Sequence, residues 1–219
     1  MFKAAVFDLD GTLLFSLQDL ANASNYALGK MGLPTHDLES YKYYVGNGRT
    51  VLCRRILPAQ LQTDENIARA IEYFDEYYSV HKYDCTKPYE GIIEMLDTLK
   101  SKGIKTAVVS NKPHKFTLPC INRYFGDKID IACGSGFVSE ALKPDPASVL
   151  YVMQKLCVDC DDTIYIGDSN VDMLTAANAK LQSCGVLWGY RTKEELLNAG
   201  ADFIAETPAE LCRIITGCF

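Results

Sequence analysis

Phe7-Asp8-Leu9-Asp10-Gly11-Thr12-Leu13 closes an apolar run at residues 3–7 that predicts a buried strand. The carboxyl end of such a strand is where an open parallel sheet forms its binding crevice. Two carboxylates at i and i+2 lie on the same side of an extended chain, about 6–7 Å apart. Like charges that close raise one proton affinity or require a cation. The pair therefore suits either a metal site or a nucleophile with an acid/base partner. Gly11 lets the chain turn sharply after them. Taken alone, the stretch is also compatible with a surface Asp-Gly turn.

A second stretch reduces that ambiguity. Ile166-Gly167-Asp168-Ser169-Asn170-Val171-Asp172 again ends an apolar strand, with carboxylates four residues apart at the start of a predicted helix. Those carboxylates could serve only to cap the helix. If both strands belong to one parallel sheet, however, three or four carboxylates meet at one crevice, a donor set that Mg²⁺ prefers. Ser110-Asn111-Lys112 closes the strand expected at 105–110, where the Ser110 hydroxyl and local N–H groups could hold a phosphate oxygen. Lys143, in Leu142-Lys143-Pro144-Asp145-Pro146, is one cation that could neutralise both the carboxylates and an anionic ligand.

From residue 89 onward, helical and strand-like segments alternate, which predicts a parallel sheet with helices on both faces. Helices are expected at 90–102, 113–122, 146–156, 170–180, 193–199 and 208–215. Strands are expected at 105–110, 128–133, 163–167, 183–187 and 202–205. Between about 17 and 81 only helical patterns occur, including the stripe Ile67, Ile71, Phe74 and Tyr78. The helical block therefore reads as an insert between the first strand and the rest of the sheet. The tyrosines at 41–44 and 73–83 read as its packing, and His36, His81 and His114 as surface residues.

Composition narrows the function. At 219 residues the expectation is one large domain or a core carrying a smaller insert. A net charge of −6 with no basic run argues against nucleic acid. No apolar window reaches the length of a membrane span, and Asp8 arrives too early for a signal segment, so a cytoplasmic location is expected. Nine cysteines then read as reduced thiols, including the isolated Cys157-x-x-Cys160 pair. No cysteine has an arginine six residues later, as a cysteine phosphatase needs. No nucleotide-triphosphate or dinucleotide glycine loop is present.

With Asp8-x-Asp10-Gly11-Thr12, Ser110, Lys143 and Gly167-Asp168-x-x-x-Asp172 in order at strand ends, the chain resembles the haloacid dehalogenase-like superfamily, specifically its phosphatases with a helical cap. The resemblance implies an α/β fold, a three-layer Rossmann-like parallel-sheet core (1–15 and 83–219) with an inserted all-helical cap (16–82). It further implies that Asp8 attacks phosphorus and that Asp10 protonates the leaving oxygen and later activates water. Mg²⁺ would be held by Asp8, the Asp10 carbonyl, Asp168 and, through water, Asp172. Thr12, Ser110, Asn111 and Lys143 would hold the phosphate. Relatives that break carbon–halogen or carbon–phosphorus bonds lack a carboxylate at the position of Asp10, which favours phosphate-ester hydrolysis. Thr12 favours a hydrolase over a mutase.

Asp10-Gly-Thr-Leu-Leu-Phe-Ser16 with Asp19-Leu20, and Val45-Gly46-Asn47-Gly48-Arg49, look like the phosphoglycolate phosphatases of that family. Phe15 departs from the aspartate usual at its position. Gly46 and Gly48 would let the cap backbone approach a small phosphorylated metabolite, and Arg49 is a candidate for its carboxylate or a second phosphate. Pyrophosphate, nucleotides and sugar phosphates are alternative substrates. A non-enzymatic binding module on the same fold is the alternative of a different class. The expected state is monomer or homodimer.

Overall fold

The computed structural model describes residues 1–218. Six parallel strands make the central sheet: β1 (Ala4–Phe7), β4 (Lys105–Pro113), β5 (Ile131–Ser135), β6 (Thr163–Gly167), β7 (Gln182–Val186) and β8 (Phe203–Ala205). Their spatial order is β5-β4-β1-β6-β7-β8. The chain order reverses at β1, which has β4 on one side and β6 on the other. That reversal opens the crevice at the carboxyl end of these three strands.

Alternation along each strand divides the apolar side chains between two faces. Ala5 and Phe7 of β1, with Val108, Ile164 and Ile166, pack against α5 (Ile92–Ser101), α6 (His114–Tyr124) and α10 (Pro208–Thr216). Val6, Ala107, Val109 and Tyr165 pack against α7 (Ala147–Leu156) and α8 (Asn170–Asn178) on the other face. The short helix α9 (Lys193–Asn198) lies between β7 and β8 in sequence. The strands and helices expected after residue 89 are all present, with ends displaced by a few residues. The largest extension is in β4, which continues to Pro113 through an irregularity between Val109 and Pro113.

The block after β1 is helical throughout: α1 (Leu17–Lys30), α2 (Leu38–Tyr44), α3 (Arg49–Ile56) and α4 (Asp64–His81). It has its own apolar centre, in which Leu20, Ala27, Tyr41, Leu52, Ile67 and Phe74 meet Phe116 and Tyr190 from the core. A small antiparallel ribbon, absent from the sequence-based expectation, joins the two parts. β2 (Leu14–Phe15) pairs with β3 (Lys87–Pro88), in the register Leu14↔Pro88 and Phe15↔Lys87. Two residues per strand are too few to produce a readable period. Phe15 packs its ring edge-to-face on Tyr89, with centroids 6.0 Å apart. Asp19, buried in the first turn of α1, accepts hydrogen bonds from the Cys85 and Thr86 N–H groups and from the Thr86 hydroxyl. The carboxylate therefore ties the start of the cap to its end.

The histidines are half-buried, His81 the most open, with 42% of its side chain exposed. His36 sits edge-on to Tyr41 and Tyr44 inside the cap, and His114 stacks on Phe137 while its Nδ1 accepts from the Gly134 N–H. Their polar atoms are satisfied locally, which is what permits the burial.

Candidate active site

Asp8 follows β1 directly, and its N–H donates to the Ile166 carbonyl at 2.8 Å, so the first and sixth strands together fix its backbone. The chain then turns on itself: the N–H groups of Leu13 and Leu14 both donate to the Leu9 carbonyl. Gly11 sits at φ +91°, and a Cβ there would lie 2.3 Å from Asp168 Oδ2. Only glycine fits that corner, and the fit brings the two acidic turns into contact.

Oxygens of Asp8, Asp168 and Asp172 lie within 4.8 Å of one another, and all three residues are buried. Lys143 enters this group from the other side, with Nζ 2.8 Å from Asp8 Oδ1 and 2.7 Å from Asp172 Oδ1. Burial is the largest influence on Asp8 and pushes its carboxyl up to about 6. Lys143 opposes that shift and Asp172 adds to it. Burial first, and then Asp172 and Asp8, hold Asp168 well above the usual carboxylate range. Burial alone would lower the Lys143 ammonium, but Asp172 and Asp8 outweigh it and keep the charge in place. Three buried carboxylates around one ammonium leave negative charge uncompensated, and their all-oxygen donor set suits a hard divalent cation.

The remaining expected residues take different positions. Ser110 is buried at the crevice, where its Oγ accepts from the Lys112 N–H. Thr12 is buried beside the cluster, and its hydroxyl donates to Asp168 Oδ1 at 3.3 Å, so it positions that carboxylate. Asp172 lies in the acidic cluster, yet one oxygen is taken by Lys143 and the other accepts from the Ser169 N–H and hydroxyl at the start of α8. The side chain of Asn111 is likewise committed. Its amide donates to the Gly46 and Lys143 carbonyls, and its oxygen accepts the Lys143 N–H at 2.7 Å. Gly46 and Gly48 therefore meet the end of β4; Gly48, at φ +86°, packs beside Leu142 and Asn111.

Beside Asp8 and Asp10, a pocket extends between core and cap, lined by Ser110, Asn111, Lys112, Phe116, Val45, Leu52, Phe74, Tyr78 and Arg49. Arg49 pairs with Asp75, while its Nε and Asp75 Oδ1 are buried with no hydrogen-bond partner among the described residues.

Sequence reasoning missed one cation entirely. Lys112 Nζ donates to both oxygens of Asp10, at 3.1 and 3.0 Å, and to the Tyr78 hydroxyl at 2.6 Å. Continuing β4 past residue 110 would have found it, since Lys112 lies two positions beyond Ser110. The helical spacing of Tyr78 predicts packing only, whereas its hydroxyl faces the site. Tyr190, whose N–H donates to Asp168 Oδ2 at 2.8 Å, carries no local sequence signal.

The family model described as haloacid dehalogenase-like hydrolase matches residues 5–186, most of the chain. The chain belongs to the haloacid dehalogenase-like hydrolases. Within that family it is 33% identical over 220 residues to a phosphoglycolate phosphatase of Vibrio parahaemolyticus, covering 97% of this chain and 96% of that protein. It is 34% identical over 224 residues to a phosphoglycolate phosphatase of Pseudomonas syringae pv. tomato, covering 99% and 79% respectively. The crystal structure of a predicted phosphoglycolate phosphatase from Haemophilus somnus superposes with a TM-score of 0.89 at 30% identity, covering 97% of both chains.

Proposed function

We propose that this phosphatase hydrolyses 2-phosphoglycolate through a phosphorylated Asp8. The observation that carries the proposal is the pairing of the Asp8 carboxylate with Lys143 at the end of β1, beside a pocket shared between cap and core. An Asp8 oxygen attacks phosphorus, and the bond to the leaving oxygen breaks. Asp10 supplies the proton that the departing alkoxide needs, then takes one from the water that hydrolyses the phospho-Asp8 and frees phosphate. Lys143 offsets the repulsion between a carboxylate and a phosphate dianion. Ser110 would hold a phosphate oxygen. Asp8, Asp168 and the Asp10 carbonyl would hold Mg²⁺, which supplies further positive charge to the phosphoryl group. Thr12 and Tyr190 keep Asp168 in its orientation.

The substrate is read by the pocket. Apolar walls from Val45, Leu52, Phe74 and Phe116 suit a short carbon chain, and Arg49 offers an N–H that is buried and unpaired, in reach of an anionic end. Together with the phosphoglycolate phosphatases it resembles, this supports a two-carbon acid phosphate. Phosphate release is to be measured from 2-phosphoglycolate, pyrophosphate, sugar phosphates and nucleotides, with Mg²⁺ and then with EDTA. Metal-dependent turnover concentrated on 2-phosphoglycolate is expected. Even activity across the panel would remove the substrate assignment, and no release from any compound would favour a binding module.

A further inference from the structure

Asp10 sits at the seam between core and cap, and the group that holds it is completed from both sides. Lys112, on β4, is buried at 7% exposure, and its ammonium directs its donors to the two Asp10 oxygens and to Tyr78. Tyr78 belongs to the cap helix α4. Its ring is fixed by stacking on Phe74 (centroids 5.1 Å apart) and by an edge-to-face contact with Phe116 (5.2 Å), so the hydroxyl has little freedom to point elsewhere. No other side chain among those described accepts from the Lys112 ammonium. An ammonium has three N–H groups, and these three contacts account for all of them.

We propose that Tyr78 and Lys112 are positioning residues through which the docked cap sets the orientation of Asp10 for proton transfer to the leaving oxygen. When the cap is seated, the Tyr78 hydroxyl takes one donor of Lys112 and thereby fixes the directions of the other two, which hold the Asp10 carboxylate together with the Ser16 hydroxyl, 2.6 Å from Asp10 Oδ1. When the cap lifts, Tyr78 leaves with α4, Lys112 gains a free donor, and its hold on the orientation of Asp10 loosens. Protonation of the leaving group is then coupled to closure over the substrate. A misplacement of about 1 Å at such a group can cost about a hundredfold in rate.

The inference rests on the reading of Asp10 as proton donor, and the test separates the two. 2-Phosphoglycolate expels an alkoxide and needs the proton; acetyl phosphate, of nearly the same size, expels acetate and does not. The ratio kcat/KM reports only the steps up to phospho-Asp8, so the later attack of water does not enter it. Wild type, Asp10→Asn, Tyr78→Phe and Lys112→Met are compared on both compounds. Tyr78→Phe keeps the stacked ring and loses only the hydroxyl, so it remains informative if Lys112→Met does not fold. We expect Tyr78→Phe to lower kcat/KM for 2-phosphoglycolate by about 10- to 100-fold and for acetyl phosphate by less than about threefold. Asp10→Asn should show the same contrast more strongly. Equal loss on both substrates, or no loss on either, overturns the role of Tyr78 and Lys112. Asp10→Asn without the contrast overturns instead the proton-donor reading on which it rests. If wild type prefers another alkyl phosphate, the substrate assignment fails and the comparison is made with that ester.

Discussion

The Lys143 ammonium lies 2.8 Å from the Asp8 carboxylate, and it is the only basic group within ion-pairing distance of that carboxylate among the described residues. Lys143→Met leaves three buried carboxylates without this cation. Removing one partner of a buried pair costs about 3–5 kcal/mol, so the metal-free variant should unfold at clearly lower urea than wild type. Turnover should fall at least about a thousandfold, since the phosphate then meets unshielded negative charge. Near-normal turnover in a steady-state assay would show that Lys143 plays no part in the reaction.

Asp8→Asn should abolish phosphate release while leaving the circular dichroism spectrum unchanged. The amide is nearly the same size and keeps the backbone bond to Ile166, but it cannot form the acyl phosphate. More than trace activity would sink the nucleophile assignment.

The same substitution has a pH signature without metal. Burial pushes the Asp8 carboxyl up to about 6, against 3.8 in the unfolded chain. Between these values the folded protein binds the proton and the unfolded chain does not, so stability falls as pH rises through that window. At about 1.4 kcal/mol per pH unit of displacement, the penalty approaches about 3 kcal/mol at neutral pH. Melting in EDTA at pH 4 and pH 7.5 should show Asp8→Asn gaining on wild type at the higher pH. A constant difference would contradict the burial argument.

Gly11→Ala should weaken metal binding without unfolding the core. The new methyl would press on Asp168 at a backbone angle that L-residues rarely adopt. Disturbing a ligand's support typically costs about 10- to 100-fold in affinity, which titration calorimetry with Mg²⁺ would read directly. Unchanged affinity would mean that Asp168 can relax out of the way.

Asp19→Ala should destabilise the protein by about 3 kcal/mol, because it strands the Cys85 and Thr86 N–H groups near the ribbon. Asp19→Asn, which retains one acceptor oxygen, should fall between the two in urea titrations. If Ala and Asn behave alike, the hydrogen bonds are not what matters there.

Much of this was legible from the chain alone. The sheet could be read because its strands are continuous apolar runs punctuated by turns, and Asp8, Asp168 and Lys143 because each stands at the end of such a run. What could not be read has a common cause. Thr12, Asn111 and Tyr78 have side chains suited to several roles, and which role each takes depends on partners 156, 32 and 34 residues away in sequence. Asp19 looks like an ordinary acid in the first turn of a helix, and the N–H groups that donate to it at the far end of the cap lie 66 and 67 residues later. The β2–β3 ribbon is too short to leave a pattern.

That ribbon also bears on how such a chain can be altered. The pairs Leu14↔Pro88 and Phe15↔Lys87 place the two ends of the helical block one strand spacing apart, about 5 Å. A tight hairpin turn spans that gap. The order of the six strands therefore does not depend on what is threaded between residues 16 and 86, and a different lid could be grafted there without redrawing the sheet. The graft would have to supply two things that the present lid provides: cover for Phe116 and Tyr190, and a hydroxyl for Lys112.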